Sequence, residues 1–212
     1  MKISRLFSIA LLLASLAFIA KQTPSGLQAL TGRQSPQTAP VSSSGHRLAQ
    51  SMQVKLDHIQ QNGMQPRPDQ TPTVMTEEEV NDYIATGHLM LPQGVKKLRL
   101  EGHSAIVTAL LNVDFDEIRA GQRSANPLLS IFSGQHDVRV EADAAGTGGQ
   151  GRVHVRDVSI DGISVPRMAL DYFVSKYIAP KYPNIGIDSQ FQLPDKVDTA
   201  TVGYHKLSVT QK

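Results

Sequence analysis

The sequence predicts an α+β fold: a curved antiparallel sheet wrapped around a C-terminal apolar helix, with short accessory helices and an N-terminal tethered helix. Three observations carry this prediction. Apolar and polar residues alternate in several runs between Val95 and Ile160, and again after Ile187, as they do in strands with one buried face. A helical pattern over 167–178 is apolar on almost every side, so it needs cover from other elements. Leu48, Met52, Leu56 and Ile59 fall at helical spacing in a separate N-terminal segment.

The chain begins with Lys2 and Arg5, followed by an apolar run over 6–20. That run is shorter than the roughly 20 residues that span a bilayer, and the order basic–apolar–small is that of a secretory leader. Ser15 and Ala17 suit cleavage after Ala17, and Ala29 offers a second site. Phe18, Ile19 and Ala20 extend the apolar run, which keeps an uncleaved inner-membrane anchor as the alternative. The organisation read from composition is a leader or anchor over 1–20, a tether over 21–45, an amphipathic helix over 46–62, a Pro-rich linker over 63–73 and an α+β domain over 74–212. The tether is rich in Gln, Ser, Thr and Pro and has too little apolar surface to offset the entropy of ordering. Helix 46–62 ends at Gly63 and either docks on the domain or pairs with a partner. The location that follows is periplasmic or secreted.

Within the domain, Thr76-Glu77-Glu78-Glu79 reads as a capping box whose acids also suit the positive end of a helix dipole. Val80, Tyr83 and Ile84 give that helix its apolar side, and Gly87 ends it. Leu91-Pro92-Gln93-Gly94 is a turn into a strand that contains Val95, Leu98 and Leu100. Residues 105–115 read as a long strand with Ala105, Val107, Ala109, Leu111, Val113 and Phe115 on one face and Ile106 and Leu110 on the other, so it is expected to be covered on both sides for part of its length. A short helix is expected over 116–123, capped by Asp114 or Asp116. Val138, Val140, Ala142 and Ala144 alternate with charged residues, and 146–151 is the tip of a hairpin. On the return strand the apolar set shifts from Val153 and Val155 to Val158 and Ile160, which calls for a β-bulge near Arg156-Asp157. Asp161-Gly162 turns the chain again. Pro166 starts the apolar helix, and strands follow over 187–193, 197–203 and 206–210.

Composition and charge exclude several classes of function. There is no cysteine, hence no disulfide framework, thiolate metal site, thiol nucleophile or lipid-modified cysteine. The formal charge of +2 is set by the leader and tether: Lys2, Arg5, Lys21 and Arg33 are the only charges in the first 44 residues, and the remainder holds 17 basic against 19 acidic residues. No basic stripe is left to neutralise phosphates, so nucleic acid is not an expected partner. Residues 146–151 match G-x-G-x-x-G, but a strand follows where a dinucleotide site needs a helix N-terminus. The seven histidines form neither H-x-H nor H-E-x-x-H. His136-Asp137 and His154 are expected to meet across the hairpin as an exposed pair rather than a metal site. Without a nucleophile elbow or a readable nucleophile–base pair, no catalytic residue, metal or cofactor is assigned, and the chain is read as a non-enzyme.

What remains is apolar. Leu129 and Phe132 sit in an apolar patch between two strands, either a lid or rim or ordinary packing at a sheet end. Met168, Tyr172, Phe173 and Tyr177 line the apolar helix. These six are the candidate lipid-binding residues, with plain core packing as the competing account.

Several short motifs carry a resemblance: Leu91-Pro92, Gly94-Val95, Val113-Asp114-Phe115-Asp116, Val165-Pro166, Tyr182-Pro183, Ile187-Asp188 and Phe191-Gln192-Leu193-Pro194. Over 74–211 the chain resembles a family of uncharacterised secreted bacterial proteins. More distantly it is similar to LmeA-type phospholipid-binding envelope proteins of the tubular lipid-binding superfamily. The resemblance implies a curved sheet around a helix, no catalytic residues and lipid binding. The expected function is therefore an exported, non-enzymatic module that binds a phospholipid or another apolar envelope component, peripheral to the membrane at most. The alternative is a structural or assembly protein of the cell envelope that acts through a protein partner, with helix 46–62 as a docking peptide.

Overall fold

The structure is a computed structural model that describes residues 43–120, 133–175 and 186–212. Its elements in chain order are α1 (Ser43–Met64), β1 (Thr73–Thr76), α2 (Glu77–Ala85), β2 (Val95–His103), β3 (Ile106–Asp114), α3 (Phe115–Ala120), β4 (Gln135–Thr147), β5 (Gln150–Ile160), β6 (Ile163–Ser164), α4 (Arg167–Phe173), β7 (Asp188–Gln192), β8 (Val197–Gly203) and β9 (Lys206–Gln211). The fold is α+β with a large antiparallel sheet, in which the described strands follow the order β1-β9-β8-β4-β3-β2 and β5 carries β6 and β7.

Local chemistry sets most of the turns. Gly148 and Gly149, at φ +62° and +76°, form the two-residue connection of the β4–β5 hairpin. A turn with two positive φ values matches the twist of the strands it joins. Opposite Glu141 and Ala142 the register skips Arg156, which is the bulge the parity change requires. Thr76 caps α2: its hydroxyl accepts from the Glu79 amide (3.2 Å), and Glu79 Oε2 accepts from the Thr76 amide (2.8 Å). Asp114 Oδ1 takes the amides of Asp116 and Glu117 (3.0 and 3.1 Å) and so caps α3.

β4 is the hinge of the sheet. β5 runs along one of its edges. β3 pairs with the other edge from Gln135 to Asp143, and β8 meets that same edge only at Ala145 and Gly146. Gly146 allows the junction, because a Cβ there would lie 2.8 Å from Leu193 Cδ1 and 2.9 Å from Ala200 Cβ. The β2–β3 and β8–β9 hairpins therefore leave β4 as two separate flaps. Their tips are held by backbone bonds, from the Ala105 amide to the Val202 carbonyl (2.8 Å) and from the His205 amide to the Gly102 carbonyl (2.9 Å).

Two buried clusters follow from this split. One lies under β2, β3, β4 and β5 and includes Leu98, Ala109, Leu111, Val140, Ala142 and Val158, with Ile84 of α2 and Phe115 and Ile118 at its edge. The other joins α1 to β1, β8 and β9 through Met52, Leu56, Ile59, Met75, Val197, Ala200 and Val209. On the second face of β3, Ile106 and Leu110 are only half-buried, so the expected double cover is partial.

Among the described residues the sheet does not wrap around the C-terminal helix. In its described part, α4, Met168 is 85% and Tyr172 46% exposed. Only half-buried Leu170 packs against the first cluster. Among the described helices, α1 and α2 pack over the sheet, with Ile118 of α3 at its edge. α1 reaches from Ser43 to Met64, past Gly63, and it docks.

Candidate functional site

Where the two flaps diverge, α1 and α2 close over a cavity of about 140 Å³. Its walls come from five places: Met52 and Leu56 of α1, Met75 and Val80 beside them, Leu100 and Val107 of the first flap, Val197, Ala200, Val202, Leu207 and Val209 of the second, and Leu193 before β8. An engineered apolar cavity of about 150 Å³ holds benzene, so this one fits roughly six carbon atoms.

The cavity wall is almost wholly apolar. Thr76, Glu77, Glu101, Gly102 and Lys206 border one end of it, where the end of β1 and the two hairpin tips come together. Glu77 Oε2 accepts from the Gly102 amide (3.0 Å) and pairs with His205 Nδ1 (2.8 Å). The Glu77 amide in turn donates to the His205 carbonyl (3.0 Å). Arg99 lies within 3.9 Å of Glu77 and 3.7 Å of Glu101. At the other end Met52, Leu56, Met75, Leu193 and Val197 are all buried.

The cover is fixed by buried polar groups as well as by packing. Glu79 is 5% exposed. Its Oε1 accepts from Ser51 Oγ (2.6 Å) and Lys55 Nζ (2.7 Å), which bolts α1 to α2. Burial pushes the Glu79 carboxyl up, but hydrogen bonds from Lys55, Ser51 and the Thr76 amide, with the Lys55 charge, outweigh that and hold it below the usual range. Tyr83 donates to Gln53 Oε1 (2.7 Å). At the far end of α1, buried Asn62 donates to the Asp69 carbonyl and to Gln211 Oε1 and accepts from the Asp69 amide, each at 2.8 Å. Gln211 donates to the carbonyls of Ile59 (2.7 Å) and Asp195 (2.5 Å).

Of the six sequence-predicted site residues, the two with described side chains, Met168 and Tyr172, are not among the residues that line this cavity. Met168 and Tyr172 are exposed on α4. Leu129, Phe132 and Tyr177, and the side chain of Phe173, lie outside the described residues. The expected meeting of His136 with His154 does not occur. The antiparallel register places Val138 opposite Ile160 and Asp143 opposite His154, which sets the two histidines at opposite ends of the pairing. His136 Nδ1 pairs with Asp161 (2.5 Å), and His154 pairs with Asp188. Among the described residues no three His, Asp or Glu side chains gather as a metal site, and no helix is long and apolar enough to cross a membrane. The sequence does show that Val197, Val202, Leu207 and Val209 are candidates for burial. It does not show that their flap parts from β2–β3, because that follows from which strand takes which stretch of the β4 edge.

No protein-family model, no curated protein and no solved structure matches the chain.

Proposed function

We propose that the chain is an exported, non-enzymatic module that binds a lipid or another apolar envelope component, and that the apolar part of this ligand enters the cavity beneath α1 and α2. The carrying observation is the cavity itself: a preformed space with apolar walls, of the kind that takes the apolar part of a small ligand. The basic and apolar start of the chain supports export. The buried side of α1 is occupied within the chain, which favours this reading over one in which α1 captures a protein partner.

The test is native mass spectrometry, with lipid extraction, on the chain expressed with its own leader and purified without detergent. The expected result is an apolar ligand that copurifies, or that loads from an envelope lipid extract, and that is lost in Val107→Phe, which fills the cavity from β3. An unchanged apo mass after incubation with the extract, together with no chemical-shift change at Met52, Met75 or Val107 on addition of hexanol, would overturn the proposal.

A further inference from the structure

We infer that Asn62-Gly63 is a self-modification site: docking of α1 keeps it unreactive, undocking lets Asn62 deamidate, and the product cannot dock again. Of the asparagines in the chain, only Asn62 is followed by glycine. A following glycine leaves the backbone nitrogen unhindered and the chain free to turn, which is what ring closure onto a side-chain amide needs.

Packing demands both residues. Gly63 is required by close approach, since a Cβ there would stand 2.4 Å from the Asp195 carbonyl oxygen and 2.8 Å from its carbon. Asn62 is required by hydrogen bonding. It is buried, its Nδ2 donates to the Asp69 carbonyl and to Gln211 Oε1, and its Oδ1 accepts from the Asp69 amide, each at 2.8 Å. The same contacts suppress the reaction. For the Gly63 nitrogen to reach Asn62 Cγ, the side-chain amide must leave these three partners and the last turn of α1 must unwind. Both require this end of α1 to lift from β9 and from Asp195.

The chemistry is self-contained. The Gly63 amide nitrogen bonds to Asn62 Cγ, the Cγ–Nδ2 bond breaks, and ammonia leaves with the proton of the Gly63 amide. Water then opens the cyclic imide at either carbonyl, which gives aspartate or isoaspartate at position 62. Neither fits the docked site. A carboxylate offers only acceptors to Gln211 Oε1 and the Asp69 carbonyl. Gln211 cannot reverse its amide to compensate, because its Nε2 is held by the carbonyls of Ile59 (2.7 Å) and Asp195 (2.5 Å). The new charge would be buried with one backbone donor left to it, the Asp69 amide, at a large desolvation cost. Isoaspartate also lengthens the backbone within the last turn of α1. A lasting release of α1 therefore becomes permanent, and the cavity loses the wall made by Met52 and Leu56.

The experiment follows residue 62 by peptide mass mapping of the full chain in mildly alkaline buffer, with and without denaturing urea. The wild type should deamidate at Asn62 at least about tenfold more slowly in buffer than in urea, as a closed structure protects. Lys55→Met, which loosens α1 without touching Asn62, should deamidate about five- to thirtyfold faster than wild type in buffer. His136→Gln, at the far end of the sheet, should stay within about twofold of wild type. In Asn62→Asp the α1 amides should lose protection from hydrogen exchange while those of β3 and β4 keep theirs. Wild type deamidated in urea and then refolded gives the same reading if that variant does not fold. Equal rates in buffer and urea would overturn the guarding role of the docked helix. Equal acceleration by Lys55→Met and His136→Gln, or none by Lys55→Met, would overturn the link to α1. Undiminished protection of α1 in the aspartate forms would overturn the one-way step.

Discussion

Helices α1 and α4 are both amphipathic, and the sequence around α4 has the wider apolar arc, yet α1 is the helix that is buried. Ala49, Met52, Leu56 and Ile59 of α1 are at most 4% exposed, while Met168 of α4 is 85% exposed. The difference lies in what each helix finds opposite it. α1 meets the second flap of the sheet and α2, and three polar hooks, Ser51, Lys55 and Asn62, fix it at both ends. α4 meets the far end of the sheet, where the ties are exposed pairs such as His136–Asp161, His154–Asp188 and Arg167–Asp188. A wide apolar arc states a need for cover, whereas spaced polar groups with buried partners state where the cover is.

The contrast can be broken first at α1. Ile59→Ala should cost about 2–5 kcal/mol in urea unfolding, because Ile59 is fully buried between α1 and the C-terminal strand. A cost below about 1 kcal/mol would mean that α1 is not part of the cooperative core. Asn62→Ala should cost about 1–3 kcal/mol, since it orphans the buried amide of Gln211 and the backbone groups of Asp69. Lys55→Met should cost about 1–2 kcal/mol, less than breaking a fully buried pair, because Lys55 is partly exposed. It should also raise the acid-unfolding midpoint. The depressed pKa of Glu79 gives stability that is present above its unfolded value of 4.5 and lost as pH falls through the folded one.

At the α4 end the effects should be smaller and carry a different pH signature. The hydrogen bond to Asp161 raises the His136 pKa against some desolvation, with help from the Ser133 carbonyl, and the same hydrogen bond lowers that of Asp161. The His136 contribution is full below its unfolded pKa and lost as pH rises through the raised one. The Asp161 contribution is present above 3.8 and lost as pH falls through the lowered one. Stability against pH in the wild type minus that in His136→Gln should therefore form a bell between those limits, and a flat difference would remove the pair from the account. Met168→Ser should change stability by less than about 0.5 kcal/mol. A loss above about 2 kcal/mol would show that α4 is covered after all, and would erase the contrast between the helices.

Much of the sheet was legible because its signals are local. The capping box at Thr76, the glycine pair at 148–149, the bulge at Arg156 and the turn at Asp161-Gly162 each need only neighbouring residues to be read. β8 and β9 announce themselves by alternation, and helix 46–62 by its spacing. β1 escaped notice because four residues at the end of a Pro-rich stretch carry no period, and they become a strand only by pairing with β9. The cavity was not legible for a related reason. Cover over an apolar helix is a long-range property, and the aromatic residues after Pro166 carried no information about where the two flaps would part. The cavity depends on Gly146 facing Ala200 and on β3 beginning at Ile106, opposite Asp143, pairings between residues far apart in the chain.

The bond between Asn62 and Gln211 joins residues 149 positions apart. α1 thus has to wait for β9, and contacts of such separation set slow folding. Until β9 arrives, Met52, Leu56 and Ile59 have no wall to rest on, and the cavity has no roof. The cavity between the flaps is therefore complete only once α1 and β9 have met.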